Sequence, residues 1–368
     1  MTKLSSPFTP DWVSPPGDTI LDIIEERGWA QKELATRLGY STKHVNQLIK
    51  GKVPLTEDAA IRLERVLGSS VGFWLAREAK YRERCARLEA AERDAKWAAW
   101  LDELPVKELM AAGVITKKRI VKKSKPELVE QCLRFFGVAS PDEWRSHYGE
   151  MQCSFRRSRA DQSDIGSISS WLRMGEQHAE KLDGPKYDRP QFTAALEEIR
   201  KLTIFPPEKF EPLLRDHFRQ AGVAFVLAPA IPRAHVSGVA RWLSPHRPLI
   251  QLSLYGKTND KFWFSLFHEA AHILLHANDK KSVYLDDPNK AQIDSPEEHE
   301  ANEWAANFLI PPENNTHLLG LRSKAAVCCL AEKIGIHPGI IVGRLQHDEL
   351  IQPSWMNDLK VSFRFEEK

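Results

Sequence analysis

Two histidines four residues apart, His268 and His272, are the strongest chemical feature of this sequence. On a helix, such side chains share one face about one turn apart, so both imidazoles can reach a single metal ion. Glu269 stands beside them and can take a proton from a metal-bound water. The H-E-x-x-H spacing therefore predicts one zinc ion per chain, with Glu269 as the general base.

A third protein ligand is needed, because catalytic zinc sites usually combine three protein ligands with water. The segment 296–311, rich in carboxylates, has the spacing of a second helix. We predict that Glu297 lies within its buried face, Glu300 at the edge and Glu303 away from it. Spacing alone leaves the choice between Glu297 and Glu300 open. The buried face is expected to contain Ala301, Trp304, Ala305 and Phe308.

Three short apolar runs precede the predicted metal helix, at residues 223–227, 236–242 and 248–254. They are rich in Val, Ile and aromatic residues, which predicts a small sheet leading into a helix over residues 260–275. His276 follows one turn after the second histidine, where its angular drift favours packing beside the site over binding the ion. We expect an α+β arrangement here.

Short amphipathic segments near the front of the chain predict a group of small helices. Residues 18–27 and 30–38 have helical spacing, Gly39 turns the chain, and Ser41 can cap a further helix over residues 42–50. Periodicity alone also allows a plain helical packing module.

The third of these helices places four polar side chains outward: Thr42, Lys43, Asn46 and Gln47. Asn and Gln can address adenine in the DNA major groove, and Lys can address guanine. This pattern favours a helix-turn-helix that reads DNA.

The surrounding sequence is more specific than its periodicity. Gln-Lys-Glu-Leu-Ala at 31–35, Pro-Leu-Thr at 54–56 and Phe-Trp-Leu at 73–75 closely resemble the Xre-type helix-turn-helix of HigA-like antitoxins, over about residues 17–82. This resemblance implies a homodimer on a palindromic operator. It also implies that Gln31 contacts phosphate and that the outward residues of the third helix face the bases.

The back half resembles the ImmA/IrrE family of metallopeptidase-like proteins, over about residues 190–347. The resemblance rests on H-E-x-x-H followed by Glu-Ala-Asn-Glu-Trp-Ala-Ala-Asn-Phe-Leu-Ile-Pro at 300–311. It assigns the third zinc ligand to Glu300, beside His268 and His272, and makes Glu269 the general base. It implies a protein substrate.

Length and composition place these parts in a soluble multidomain protein. The 368 residues suggest two or three domains. We expect a helix-turn-helix domain at 1–90, a helical connector at 91–169 and a metallopeptidase-like domain at 170–368, with the domain boundary open between about 90 and 170. Five cysteines without a C-x-x-C pair argue against a disulfide framework. No membrane-length apolar run or export signal is visible, so we expect a cytoplasmic protein without membrane contact.

Charge supports a nucleic-acid partner for the front half, since residues 1–160 carry a net +6 and residues 161–368 a net −4. The sequence thus predicts a mostly helical α+β regulator that binds operator DNA and cleaves or controls a partner repressor or toxin. The alternative is a non-catalytic HigA-like antitoxin and autorepressor that neutralises its toxin by binding.

Overall fold

The computed structural model describes residues 14–156, 164–254, 256–276, 284–286 and 296–365. The expected absence of an export signal concerns the amino terminus, and residues 1–13 lie outside the described residues. The chain divides into two compact units, one of residues 1–98 with 121–130 and one of residues 99–120 with 131–368. The domain boundaries expected at residues 90 and 170 stay predictions.

The described residues form sixteen α-helices and four strands, which confirms the mostly helical α+β class. The helices are α1 (Pro16–Glu26), α2 (Gln31–Leu38), α3 (Thr42–Ile49), α4 (Glu57–Leu67), α5 (Val71–Lys96), α6 (Val106–Ala111), α7 (Lys125–Phe136), α8 (Pro141–Arg156), α9 (Ile165–Glu180), α10 (Arg189–Lys201), α11 (Pro207–Gln220), α12 (Asn259–Leu275), α13 (Pro296–Leu309), α14 (Asn315–Leu318), α15 (Lys324–Ile334) and α16 (Pro338–His347). The strands are β1 (Ala224–Leu227), β2 (Gly238–Ser244), β3 (Arg247–Leu252) and β4 (Tyr284–Asp286).

Among the described residues, no single helix is long and apolar enough to cross a membrane. Helices α15 and α16 together are long and apolar enough, but a bend of 114° separates them.

The first unit is built around the short helices α1 to α4 and the start of α5, and α1, α2 and α3 lie where the amphipathic spacing predicts helices. Leu34, Val45 and Leu63 are fully buried between them. Gly39 ends α2 with a φ of +69°, a left-handed conformation that suits glycine. The Ser41 hydroxyl then starts α3 by accepting a hydrogen bond from the His44 backbone N–H at 3.1 Å.

A mixed sheet of order β1-β3-β2-β4 lies in the second unit. Strand β3 pairs parallel with β1 and antiparallel with β2, and β4 pairs antiparallel with the other edge of β2. The three predicted apolar runs correspond to β1, β2 and β3. Large aromatic side chains fill the core next to this sheet: Phe192, Phe218, Trp263 and Phe267.

The carboxyl-terminal residues hold the start of α12. The Lys360 ammonium lies 2.6 Å from the Asp260 carboxylate, and both side chains are nearly buried. The Asn259 backbone N–H donates to the Val361 carbonyl at 2.8 Å. Because helix α12 carries the H-E-x-x-H residues, these bonds help to fix the position of those residues.

Candidate functional site

Helix α12 presents His268 and His272 on one face, as their spacing predicts. Both imidazoles are buried, and their Nε2 atoms lie 3.0 Å apart. Glu298, in the first turn of α13, faces them: its Oε2 lies 3.1 Å from the His268 Nε2 and its Oε1 lies 3.5 Å from the His272 Nε2. These three side chains form a buried group of potential metal ligands.

The spacing of the donor atoms fits a zinc ion. Tetrahedral zinc with bonds of about 2.0–2.1 Å holds its ligand atoms about 3.3–3.4 Å apart. The distances of 3.0, 3.1 and 3.5 Å between the donor atoms of His268, His272 and Glu298 bracket that separation. Only small side-chain adjustments are required for the three to share one ion.

Protonation also suits a metal. Burial lowers the pKa of His272 to about 4, so its imidazole is neutral at pH 7 and keeps a lone pair. Burial by itself raises the pKa of Glu298, but the facing imidazoles of His268 and His272 outweigh this and hold the pKa at about 2. A neutral imidazole beside an ionised carboxylate matches the two-histidine, one-glutamate set of catalytic zinc sites.

The third member of this group differs from the sequence expectation. Glu300 points away from the two imidazoles: its side chain is 61% exposed and its Oε2 lies 3.1 Å from the His276 Nε2. Glu297, the other candidate, is exposed as well. Glu298 occupies the place expected for either of them.

The physical reason is the rotation of α13 about its own axis. Its buried stripe runs through Glu298, Ala301, Ala305 and Leu309, at successive spacings of three and four residues. Trp304 and Phe308, both expected on the buried face, are only half-buried. The small residues Ala301 and Ala305 are the sequence signal that could have pointed to Glu298, because it lies on the same stripe of α13.

His276 lies beside His272, as its spacing predicts. Its Nδ1 is 3.1 Å from the His272 Nδ1, and its side chain is 9% exposed. The ring therefore contacts both the imidazole of His272 and the carboxylate of Glu300.

Glu269, the proposed general base, is fully buried against strand β2. A Cβ atom at Gly238 would stand 2.5 Å from the Glu269 Oε1 and 2.8 Å from the Leu252 Cδ2. The glycine thus leaves the space that the carboxylate occupies. Sequence reasoning missed Gly238, since nothing local to residue 238 indicates that the helix lies against it.

We predict that Gly238→Ala destabilises the protein by roughly 1–3 kcal/mol, because the added methyl overlaps the Glu269 side chain. Gly149→Ala is the control: a Cβ there meets nothing within 4 Å, and alanine in helix α8 should stabilise by roughly 0.5–1 kcal/mol. Urea unfolding of both variants measures these changes. Equal stability of the two would show that the space around Glu269 is not tightly packed.

Comparison with known proteins bears on both units. Residues 231–336 match the peptidase family model described as the IrrE N-terminal-like domain. The IrrE-like region contains the buried His268, His272 and Glu298 group and the adjacent Glu269.

Residues 20–74 match the helix-turn-helix family model. Over 60 residues the chain is 35% identical to "Uncharacterized HTH-type transcriptional regulator YddM" of Escherichia coli (strain K12). That alignment covers 16% of this chain and 64% of the relative. The chain therefore carries a helix-turn-helix domain followed by an IrrE-like peptidase domain.

In the helix-turn-helix, Gln31 is the first residue of α2, and the four predicted base-reading residues lie along α3. Thr42, Lys43 and Asn46 are exposed, while Gln31 and Gln47 are half-buried. Their placement agrees with an outward polar edge on α3. DNA contact by these five side chains belongs to the proposal below.

Proposed function

We propose that this protein is a DNA-binding regulator whose IrrE-like domain is a zinc-dependent endopeptidase acting on a partner repressor or toxin. The observation that carries the proposal is the buried convergence of His268, His272 and Glu298 beside Glu269. A purely structural helix contact does not require three metal-ligating groups within hydrogen-bonding range of one another in a dry interior.

Each residue has a distinct part in this chemistry. His268, His272 and Glu298 would hold one zinc ion per chain, which would polarise a water molecule and the scissile carbonyl. Glu269 would accept the proton of the attacking water and deliver it to the leaving amine. Its burial against Gly238 limits the orientations that its carboxylate can take.

Burial supports a narrow substrate range. His268, His272 and Glu298 are each less than a tenth exposed, so a folded protein surface does not reach their donor atoms. We propose that the site takes an extended segment of one particular partner. Narrow or gated activity also suits a regulator that shares its compartment with many other proteins.

Purification of partner proteins tests this activity. Tagged wild-type protein and the tagged Glu269→Gln variant are purified from cells whose chromosome contains the genes next to the one that encodes this protein. The proposal expects a specific protein that is retained by Glu269→Gln and recovered as fragments or missing with wild type. A partner retained intact and equally by both would contradict cleavage.

For the first unit we propose that the protein forms a homodimer, which binds a palindromic operator. Gln31 would contact phosphate, and Thr42, Lys43, Asn46 and Gln47 would face the bases. The support is the polar edge along α3 and the basic charge of residues 1–160.

We predict that replacing both Asn46 and Gln47 with alanine weakens specific operator binding by roughly 1–3 kcal/mol for each good hydrogen-bonded base pair that these amides address. Footprinting on the promoter of the gene at physiological salt measures the effect. The control is Gln352→Ala, an exposed amide in the second unit that should leave binding unchanged. A double variant that footprints as tightly as wild type would remove this edge from the interface.

A non-catalytic antitoxin is the second candidate function. The observation in its favour is the resemblance of residues 17–82 to HigA-like antitoxins, including Pro-Leu-Thr at 54–56 and Phe-Trp-Leu at 73–75. In that case the second unit would capture a toxin and Glu269 would be dispensable. A small toxin gene adjacent to this one, together with capture independent of Glu269, would favour this function.

A further inference from the structure

We infer that Glu300 and His276 are positioning residues that orient His272 toward the metal through a chain of hydrogen bonds. The inference rests on the proposed zinc site and extends it to two side chains that do not bind the ion. It also gives Glu300 a role different from the ligand expected from the sequence.

The chain of contacts is continuous. The Glu300 Oε2 lies 3.1 Å from the His276 Nε2, and the His276 Nδ1 lies 3.1 Å from the His272 Nδ1. Exposure falls along it, from 61% for the Glu300 side chain to 9% for His276 and 1% for His272. A carboxylate at the surface is thus connected to a buried imidazole of the candidate metal group.

The order of donors and acceptors follows from the carboxylate. An ionised carboxylate only accepts hydrogen bonds, so the Nε2 of His276 must donate to Glu300. When His276 is neutral, its other ring nitrogen, Nδ1, is the acceptor. The hydrogen between the two Nδ1 atoms therefore belongs to His272.

The consequence for His272 is a defined tautomer. With its Nδ1 protonated, its lone pair resides on Nε2, the atom 3.0 Å from the His268 Nε2 and 3.5 Å from the Glu298 Oε1. The hydrogen bond thereby favours the tautomer of His272 that carries its proton on Nδ1 and can bind metal through Nε2. Hydrogen bonding at Nδ1 also makes the opposite nitrogen more basic and fixes the plane of the ring.

The same contacts argue against direct binding by these two residues. Both ring nitrogens of His276 are engaged, one by Glu300 and one by His272. Neither residue belongs to the buried group formed by His268, His272 and Glu298. Hence their removal should change affinity without changing the set of atoms around the ion.

Cobalt(II) titration of metal-free full-length protein tests the inference, since its absorption spectrum reports coordination. Glu300→Ala and His276→Ala should each bind cobalt about 10–100-fold more weakly than wild type, with an unchanged spectrum. Glu300→Gln retains an acceptor oxygen and should bind more tightly than Glu300→Ala. Glu303→Ala, an exposed glutamate on the same helix, is the matched control and should bind like wild type.

A double variant provides the decisive comparison. If Glu300 acts through His276, Glu300→Ala combined with His276→Ala should bind no more weakly than His276→Ala alone. Additive losses, an altered spectrum, or a Glu300→Ala variant as tight as Glu303→Ala would each overturn the positioning role. Wild-type protein that binds no cobalt would instead overturn the metal site itself, and the positioning role with it.

Discussion

Replacing Glu269 with glutamine should abolish processing of the partner protein while zinc content and operator binding stay at wild-type levels. Glutamine has nearly the same shape, so it should fit the buried space against Gly238. It cannot accept a proton at neutral pH, and loss of general acid–base catalysis typically costs about 10²–10⁴-fold in rate. Because Glu269 is outside the metal-ligand group, the ion should remain bound.

The half-life of the partner in cells, with and without stress, measures this effect. Zinc analysis and promoter footprinting of the same variant are the controls, because they report folding of each unit separately. Identical half-lives in wild-type and Glu269→Gln cells would favour the antitoxin function, in which the partner is held and not cleaved.

Glu298→Gln should lose zinc during dialysis, whereas Glu300→Gln should retain it. An amide is uncharged and a poor zinc ligand, so the first substitution removes one of three protein ligands. The zinc affinity of Glu298→Gln should fall by more than about 10–100-fold, which is the typical cost of losing a residue that only hydrogen-bonds to a ligand. Glu300 contacts His276 and not the ligand group, so its amide variant should lose much less.

Metal analysis of the dialysed proteins separates the two variants, with Glu303→Gln as a surface control on the same helix. Stronger loss from Glu300→Gln than from Glu298→Gln would restore Glu300 as the third ligand. Equal retention in all three would mean that no glutamate of α13 binds the ion.

Local sequence patterns were sufficient to predict the short helices of the first unit and the shared helix face of His268 and His272. Residues 268 and 272 share a face on any α-helix, because 3.6 residues make one turn. The helical spacing of apolar residues and the turn at Gly39 likewise predicted α2 and α3. These features depend on residues within a few positions of each other, which sequence reading captures well.

Contacts between distant segments were decided only by the tertiary structure. The rotation of α13 depends on how its alanines at 301 and 305 pack, and this rotation brought Glu298 and not Glu300 to the imidazoles. The space beside Glu269 exists because strand pairing places Gly238 under α12. The sequence by itself determined which side chains could bind a metal. Only the packing of separate elements decided which of those side chains converge, because helical periodicity describes one helix and not its orientation against another.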